Sequence, residues 1–87
     1  MEKRREPRRT AEGPLRLLPR DPNLTGNIQA RLLDVSRSGF RARHDCLHFY
    51  NGLEVDFSRG GLAGRARVVW NLILGQQIES GFLILPR

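Results

Sequence analysis

The chain has 87 residues, of which 39% are hydrophobic and 28% charged, and its formal net charge is +6. This length suits one small domain and excludes two independent hydrophobic cores, while the apolar fraction is well above that of disordered chains. No run approaches the roughly 18 consecutive apolar residues of a membrane span, and the single cysteine, Cys46, excludes an internal disulfide. The sequence therefore predicts one folded domain without a membrane span, in the cytoplasm.

Much of the positive charge lies at the N-terminus. Residues 1–10 contain five cations and two acids and so carry half of the net charge of the chain. A concentrated basic segment indicates an anionic partner, which can be nucleic acid, a membrane surface or a phosphorylated small molecule, although a solvated tail has the same composition. The apolar stretch of a secretory signal does not follow it. We therefore expect residues 1–13 to form a flexible arginine-rich arm and residues 14–87 to form the folded domain.

The first half of this domain reads as short alternating segments between turn residues. Leu15–Pro19 is a first short strand, followed by a cluster of proline, aspartate and asparagine that favours a turn. Within Gly26–Leu32, apolar and polar residues alternate with the period of a half-buried strand. Alternation resumes in Phe40–Arg43 after residues 36–39, so the second and third segments are predicted to form a hairpin.

Three further strands are predicted in the second half of the chain. Leu53–Ser58 alternates up to a glycine turn at residues 59–61, Ala66–Trp70 alternates after it, and Ile78–Ile84 follows a second turn. Six short strands in so few residues protect their edges most readily by closing on themselves. The sequence therefore predicts an all-β fold, a six-stranded antiparallel β-barrel.

Two segments carry the functional signal: Arg4-Arg5-Glu6-Pro7-Arg8 in the arm, and Asp34-Val35-Ser36-Arg37-Ser38-Gly39 in the hairpin turn. Together they resemble the PilZ domain family, in which an R-x-x-x-R segment precedes a D/N-x-S-x-x-G turn. Residues 14–17, 52–55 and 66–70 are similar to the first, fourth and fifth strands of the family, so the resemblance covers nearly the whole chain. It implies a PilZ-like barrel that binds cyclic di-GMP, a bacterial second messenger, with its outer face and its arm.

The arginines of the arm suit this ligand chemically. Cyclic di-GMP carries two phosphodiester charges and two guanines, whose O6 and N7 acceptors match a guanidinium fork. Arg4 and Arg8 are the preferred motif pair, because the first strand then falls at the offset typical of the family, although Arg5 and Arg9 have the same spacing. The additional cations would, in the family, suit a stacked pair of ligand molecules over a single one.

The turn residues suit a guanine as well. The carboxylate of Asp34 can accept hydrogen bonds from guanine N1–H and N2–H₂, a pattern that adenine does not offer. Ser36 can donate its hydroxyl to a phosphate or fix the turn, and Gly39 lacks the Cβ that would hinder a close approach or a positive φ. An ordinary hairpin turn with an Asx cap is the alternative interpretation.

Trp70 completes the set of candidates. It alternates with Val68 and Ala66, so packing in the core or at the barrel rim is its first interpretation, and stacking on the ligand is the second. The candidates for binding cyclic di-GMP are therefore Arg4, Arg5, Arg8, Arg9, Asp34, Ser36, Gly39 and Trp70. We expect no cofactor other than this ligand.

The sequence offers little for metal binding or catalysis. His44, Cys46 and His48 would share one face of a strand, but structural zinc sites need four ligands and the chain has no second Cys or His pair elsewhere. No nucleophile has an evident base partner, and neither a G-x-S-x-G elbow nor a Walker-type loop is present. We therefore expect neither a metal site nor an enzyme.

Two other functions stay open beside the receptor. The arginines spread over exposed strand positions are also typical of a small basic barrel that binds nucleic acid, but the alternation of Phe40, Phe57 and Phe82 predicts a core role for them and disfavours stacking on bases. A PilZ-like adaptor that binds only protein is the third possibility, although such members usually lack the arginine motif. In the preferred interpretation the arm folds over cyclic di-GMP and changes a surface for an unidentified downstream protein.

Overall fold

The computed structural model of the protein describes residues 9–86. The candidate ligands Arg4, Arg5 and Arg8 lie outside the described residues, so their roles stay predictions. Among residues 9–86 there is no helix that is long and apolar enough to cross a membrane.

The described chain forms a closed antiparallel barrel in which every strand pairs with two neighbours. The order around the barrel is β1-β2-β3-β6-β5-β4, and β4 closes it by pairing with β1. Two neighbouring pairs, β3–β6 and β1–β4, therefore join strands that are not consecutive in the sequence. The predicted all-β, six-stranded antiparallel barrel is confirmed. In chain order its strands are β1 (Arg9–Pro19), β2 (Ile28–Val35), β3 (Gly39–His44), β4 (Glu54–Arg59), β5 (Leu62–Leu74) and β6 (Gln77–Ile84).

Apolar residues from the alternating pattern fill the barrel interior. Leu17 of β1 and Val55 of β4 are fully buried. Phe40 stacks on Phe82 with ring centroids 4.7 Å apart, and Phe57 meets Phe40 edge-on at 5.2 Å. Aromatic pairs of this kind contribute about 0.5–1.5 kcal/mol beyond the area that they bury. The predicted core role of the three phenylalanines is confirmed.

The first strand begins earlier than the sequence predicted. Arg9 pairs with Val35 and Thr10 pairs with Asp34, across a bulge from the regular part of the β1–β2 ladder. Residues 9–13, which we assigned to the flexible arm, are therefore strand. Pairing with β2 satisfies backbone N–H and C=O groups whatever side chains they carry. Because the side chains here are mostly exposed, they produce no alternating pattern from which this pairing could be predicted.

Candidate functional site

The strand register brings four residues into one row across four neighbouring strands. Asp34 of β2 is paired with Arg41 of β3, Arg41 with Gly81 of β6, and Gly81 with Trp70 of β5. Directly paired residues of antiparallel strands share a face of the sheet. Since the neighbours of Arg41 along β3 are buried core residues, this row faces outward. We call Asp34, Arg41, Gly81 and Trp70 the outer row.

A charge network surrounds the Asp34 end of the outer row. Arg41 donates from Nε to Asp34 Oδ2 at 2.8 Å and also from Nη2 to the same oxygen, while its Nη1 donates to Glu79 Oε2 at 2.9 Å. Arg43 lies on the far side, with Nη2 3.5 Å from Glu79 Oε1. Both acids are largely buried, with 7% of Asp34 and 9% of Glu79 exposed. Buried carboxylates need such partners, because an unpaired buried charge is costly.

Arg41 is the centre of this network. Its hydrogen bonds to Asp34 raise the pKa of the guanidinium above its ordinary value, while burial opposes the rise. The side chain therefore stays charged at any pH at which the protein is folded. It links β2 to β6 across β3 and holds the carboxylate of Asp34 in one orientation.

The turn between β2 and β3 is fixed by its own backbone and by β6. The N–H of Ser36 donates to the carbonyl of Gly39 at 2.8 Å, and its hydroxyl donates to the same oxygen at 3.4 Å. The N–H of Ile84 donates to the carbonyl of Ser38 at 2.7 Å. Of the two roles that the sequence offered for Ser36, fixing the turn is therefore observed within the barrel.

Gly39 is required by packing. A Cβ added to it would overlap the carbonyl oxygen of Phe82 in β6. Gly39 does not have a positive φ, so the second reason that the sequence offered for this glycine is wrong. The close approach is that of β6, whose backbone lies directly against the start of β3.

The sequence predicted that Trp70 packs in the core or at the barrel rim, and of these two positions the core is wrong. A bulge between Val68 and Trp70 shifts the β5–β6 register by one residue, which reverses the alternation. Trp70 is therefore 37% exposed on the outer face. A Cβ added to Gly81 would overlap the indole Nε1, which shows that the ring lies directly over this glycine.

Three residues of the site were missed by sequence reasoning. Arg41 and Glu79 occupy outward positions of predicted strands, where a charged side chain is ordinary, and only the register brings them to Asp34. Gly81 could have been noticed in the sequence, because it is a glycine within a predicted strand. A glycine inside a strand marks a bulge or a close approach, and here the approaching group is the side chain of Trp70.

The described member of the arginine arm lies close to the turn. Arg9 is an exposed residue at the start of β1, paired with Val35, the residue after Asp34. The strand that follows the basic segment thus begins beside the Asp34 end of the outer row. Arg9 forms no ion pair with another residue in the range 9–86.

A second polar cluster lies inside the barrel. His44 is buried, with Nε2 2.7 Å from Ser80 Oγ, and its Nδ1 accepts the N–H of Cys46 at 3.1 Å. Because Nδ1 accepts, the ring proton is on Nε2 and is donated to Ser80, whose hydroxyl donates onward to Asn71. Burial, opposed by Asp45, lowers the pKa of His44 to about 4.

This hydrogen-bond direction has a chemical consequence. His44 donates to the hydroxyl of Ser80 and is in no position to remove its proton, so the pair lacks the geometry of an activated nucleophile. Within the part of the chain that the structure describes, no three His, Cys, Asp or Glu side chains are grouped so as to hold a metal ion. The outer row contains two of the residues that the sequence offered as ligands, Asp34 and Trp70, and it is the candidate site.

Comparison of the chain with models of known protein families finds no match. Comparison with curated proteins finds none either.

Proposed function

We propose that this protein is a PilZ-type receptor domain that binds cyclic di-GMP on the outer face of β2, β3, β6 and β5. The observation that carries the proposal is the outer row. It joins an oriented, buried carboxylate at Asp34 to an exposed indole at Trp70. An acceptor for guanine and a surface for base stacking are thus presented on one face of a rigid barrel.

Each end of the outer row suits one part of the ligand. Asp34 can accept the N1–H and N2–H₂ groups of a guanine, and it is already aimed by Arg41. Trp70 offers an aromatic surface, and stacking of a base on an aromatic side chain contributes about 1–3 kcal/mol. Three strand spacings of about 4.8 Å separate the two residues, a span that favours a ligand with two bases over a mononucleotide.

The N-terminal arginines supply the remaining chemistry of the proposal. Arg4 and Arg8 bind phosphate and a guanine edge, with Arg5 and Arg9 as the alternative pair. The exposed position of Arg9 beside the Asp34 end of the outer row supports this role, because the basic segment leads into β1 there. Ordering of this segment by the ligand, as one molecule or a stacked pair, would change the surface offered to a downstream protein.

Nucleic acid binding has less support from the described surface. Arginines on the outer faces of several strands are tied to acids, among them Arg31 to Glu12 and Arg67 to Glu54. Such pairing reduces the cationic surface available to a phosphate backbone. The phenylalanines considered for base stacking lie in the core, as Phe40 and Phe82 do, or against it, as Phe57 does.

Titration calorimetry of the full chain tests the proposal. We expect saturable binding of cyclic di-GMP, at least tenfold weaker binding of cyclic di-AMP, and at least tenfold weaker binding of cyclic di-GMP by Asp34→Ala and by Arg8→Ala. Arg31→Ala is the matched control, since Arg31 is an exposed residue of β2 outside the charge network. Absence of binding at high micromolar ligand, or equal affinity of all three variants, would overturn the proposal.

A further inference from the structure

The far end of β5 has a free edge. β4 pairs with β5 from Leu62 to Arg67, and the loop before β4 adds backbone hydrogen bonds to Val68 only. The same loop meets β5 once more through a side chain, since Asn71 Nδ2 donates to Phe49 O at 3.5 Å and to Asn51 Oδ1 at 3.3 Å. Beyond Val68, no strand among residues 9–86 pairs with this edge of β5, while β6 continues to pair with the other edge as far as Leu74. The last residues of β5 therefore form one side of a two-stranded ribbon that extends past its neighbour β4.

The turn geometry determines which backbone groups face the free edge. Gly75 has a φ of +65° at the first position of a two-residue turn, as in a type II′ hairpin. Leu74 and Gln77 are the closing pair, so in the alternating antiparallel pattern Ile73 directs its N–H and C=O away from β6. The N–H is a donor and the C=O an acceptor for another strand.

Apolar side chains flank this edge on both faces. Leu72 and Leu74 are exposed on the face that carries Trp70, and Ile73, on the opposite face, is 66% exposed. Residues 68–76 contain no charged residue, although 28% of the whole chain is charged. Proteins usually protect an edge strand with charges, proline or a covering segment. The end of β5 has no charge or proline, and its exposed side chains, Leu72, Ile73 and Leu74, are aliphatic.

We propose that this edge pairs with the same edge of a second copy of the chain, which joins two barrels into one continuous sheet through antiparallel β5 strands. An antiparallel strand is complementary to its own copy about a two-fold axis, so the backbone hydrogen bonds are met on both sides at once. A charged partner has no counter-charge to meet on residues 68–76, whereas a second copy brings the same leucine and isoleucine side chains. The proposal does not depend on cyclic di-GMP binding.

The proposed contact between two β5 edges is small, so the dimer is expected to be weak. The last five residues of β5, 70–74, extend over about 17 Å. Paired with a second copy, they form an interface smaller than the roughly 800 Å² per partner of a stable complex. The dimer is therefore reversible and depends on protein concentration. Because both chains carry a net charge of +6, added salt screens their repulsion and strengthens the dimer. Salt would have the opposite effect on a complex held by unlike charges.

Sedimentation velocity of the full chain from low micromolar to submillimolar concentration tests the proposal. We expect wild-type protein to pass from monomer to dimer across this range, at lower concentration in higher salt. Ile73→Lys should remain monomeric throughout, because a charged side chain then lies within the strand pair. Ile73 is exposed, so the substitution leaves the core intact.

Leu62→Lys is the matched control. Leu62 is 68% exposed and lies on the same strand, but on the part that β4 already covers, so this variant should dimerise as the wild type does. In amide hydrogen exchange, the N–H of Ile73 should gain protection with concentration in the wild type and not in Ile73→Lys. A wild type that is monomeric at every concentration, or two lysine variants that behave alike, would overturn the proposal.

Discussion

Replacing Arg41 by methionine removes the centre of the charge network and leaves its two acids without their shared cation. The structure shows three hydrogen bonds from this guanidinium, two to Asp34 and one to Glu79. Bonds to charged groups contribute about 1.5–3 kcal/mol each when well buried. Since the Arg41 side chain is 38% exposed, solvent screening reduces this contribution. We expect Arg41→Met to lower the free energy of unfolding by about 2 kcal/mol at neutral pH.

Urea denaturation of the variant and the wild type measures this difference. The matched control is Arg31→Met, whose single ion pair with Glu12 spans 3.3 Å between side chains that are more than half exposed; a pair of that kind contributes at most about 1 kcal/mol. Equal losses in the two variants would refute the reasoning.

Three further perturbations test other parts of the barrel. Gly39→Ala forces a Cβ into the backbone of β6 and should cost about 3 kcal/mol, whereas Gly61→Ala, which meets open space at an unstrained φ, should change stability by less than about 0.5 kcal/mol in the same urea assay. Gly81→Ala should displace the only tryptophan, Trp70, and change its fluorescence emission; an unchanged spectrum would show that the indole does not lie over the strand. Because the pKa of His44 is about 4 in the folded protein and about 6.5 in the unfolded chain, the unfolded state binds more protons between these values. Stability should therefore fall as the pH is lowered from 6.5 to 4, by up to about 3 kcal/mol, and thermal unfolding of His44→Phe should lose most of that slope.

The features that could be predicted from sequence are those that depend on local patterns, namely the alternation of apolar and polar residues and the turn-favouring segments between strands. The hairpin around Asp34 and Gly39 follows from alternation on both sides of a turn-favouring segment, and the barrel follows from the number and spacing of such strands. The start of β1 at Arg9 could not be predicted, because its pairing is made by backbone groups and its side chains are mostly exposed. The outward position of Trp70 depends on a bulge, and one inserted residue reverses every later assignment of inside and outside along a strand.

The charge network depends on contacts between residues that are distant in sequence. Asp34, Arg41 and Glu79 lie on three strands, and β3 and β6 are neighbours in the barrel although they are not consecutive in the sequence. The sequence alone offered Arg41 and Glu79 only as ordinary charged residues on outer faces. The motif predicted that Asp34 is a ligand for guanine, but it did not identify the arginine that orients the carboxylate.

This orientation bears on how the proposed receptor would respond to its ligand. The turn is held against β6 by the packing of Gly39 and by the hydrogen bond from Ile84 to Ser38, and Asp34 is held by Arg41. Because these contacts are made within the barrel itself, guanine recognition at Asp34 requires little ordering of the protein, which favours affinity. A rigid turn cannot also be the element that changes on binding. Under the proposed function, the signal to a downstream protein must therefore arise from the N-terminal arginines, and substitutions there should reduce signalling as well as affinity.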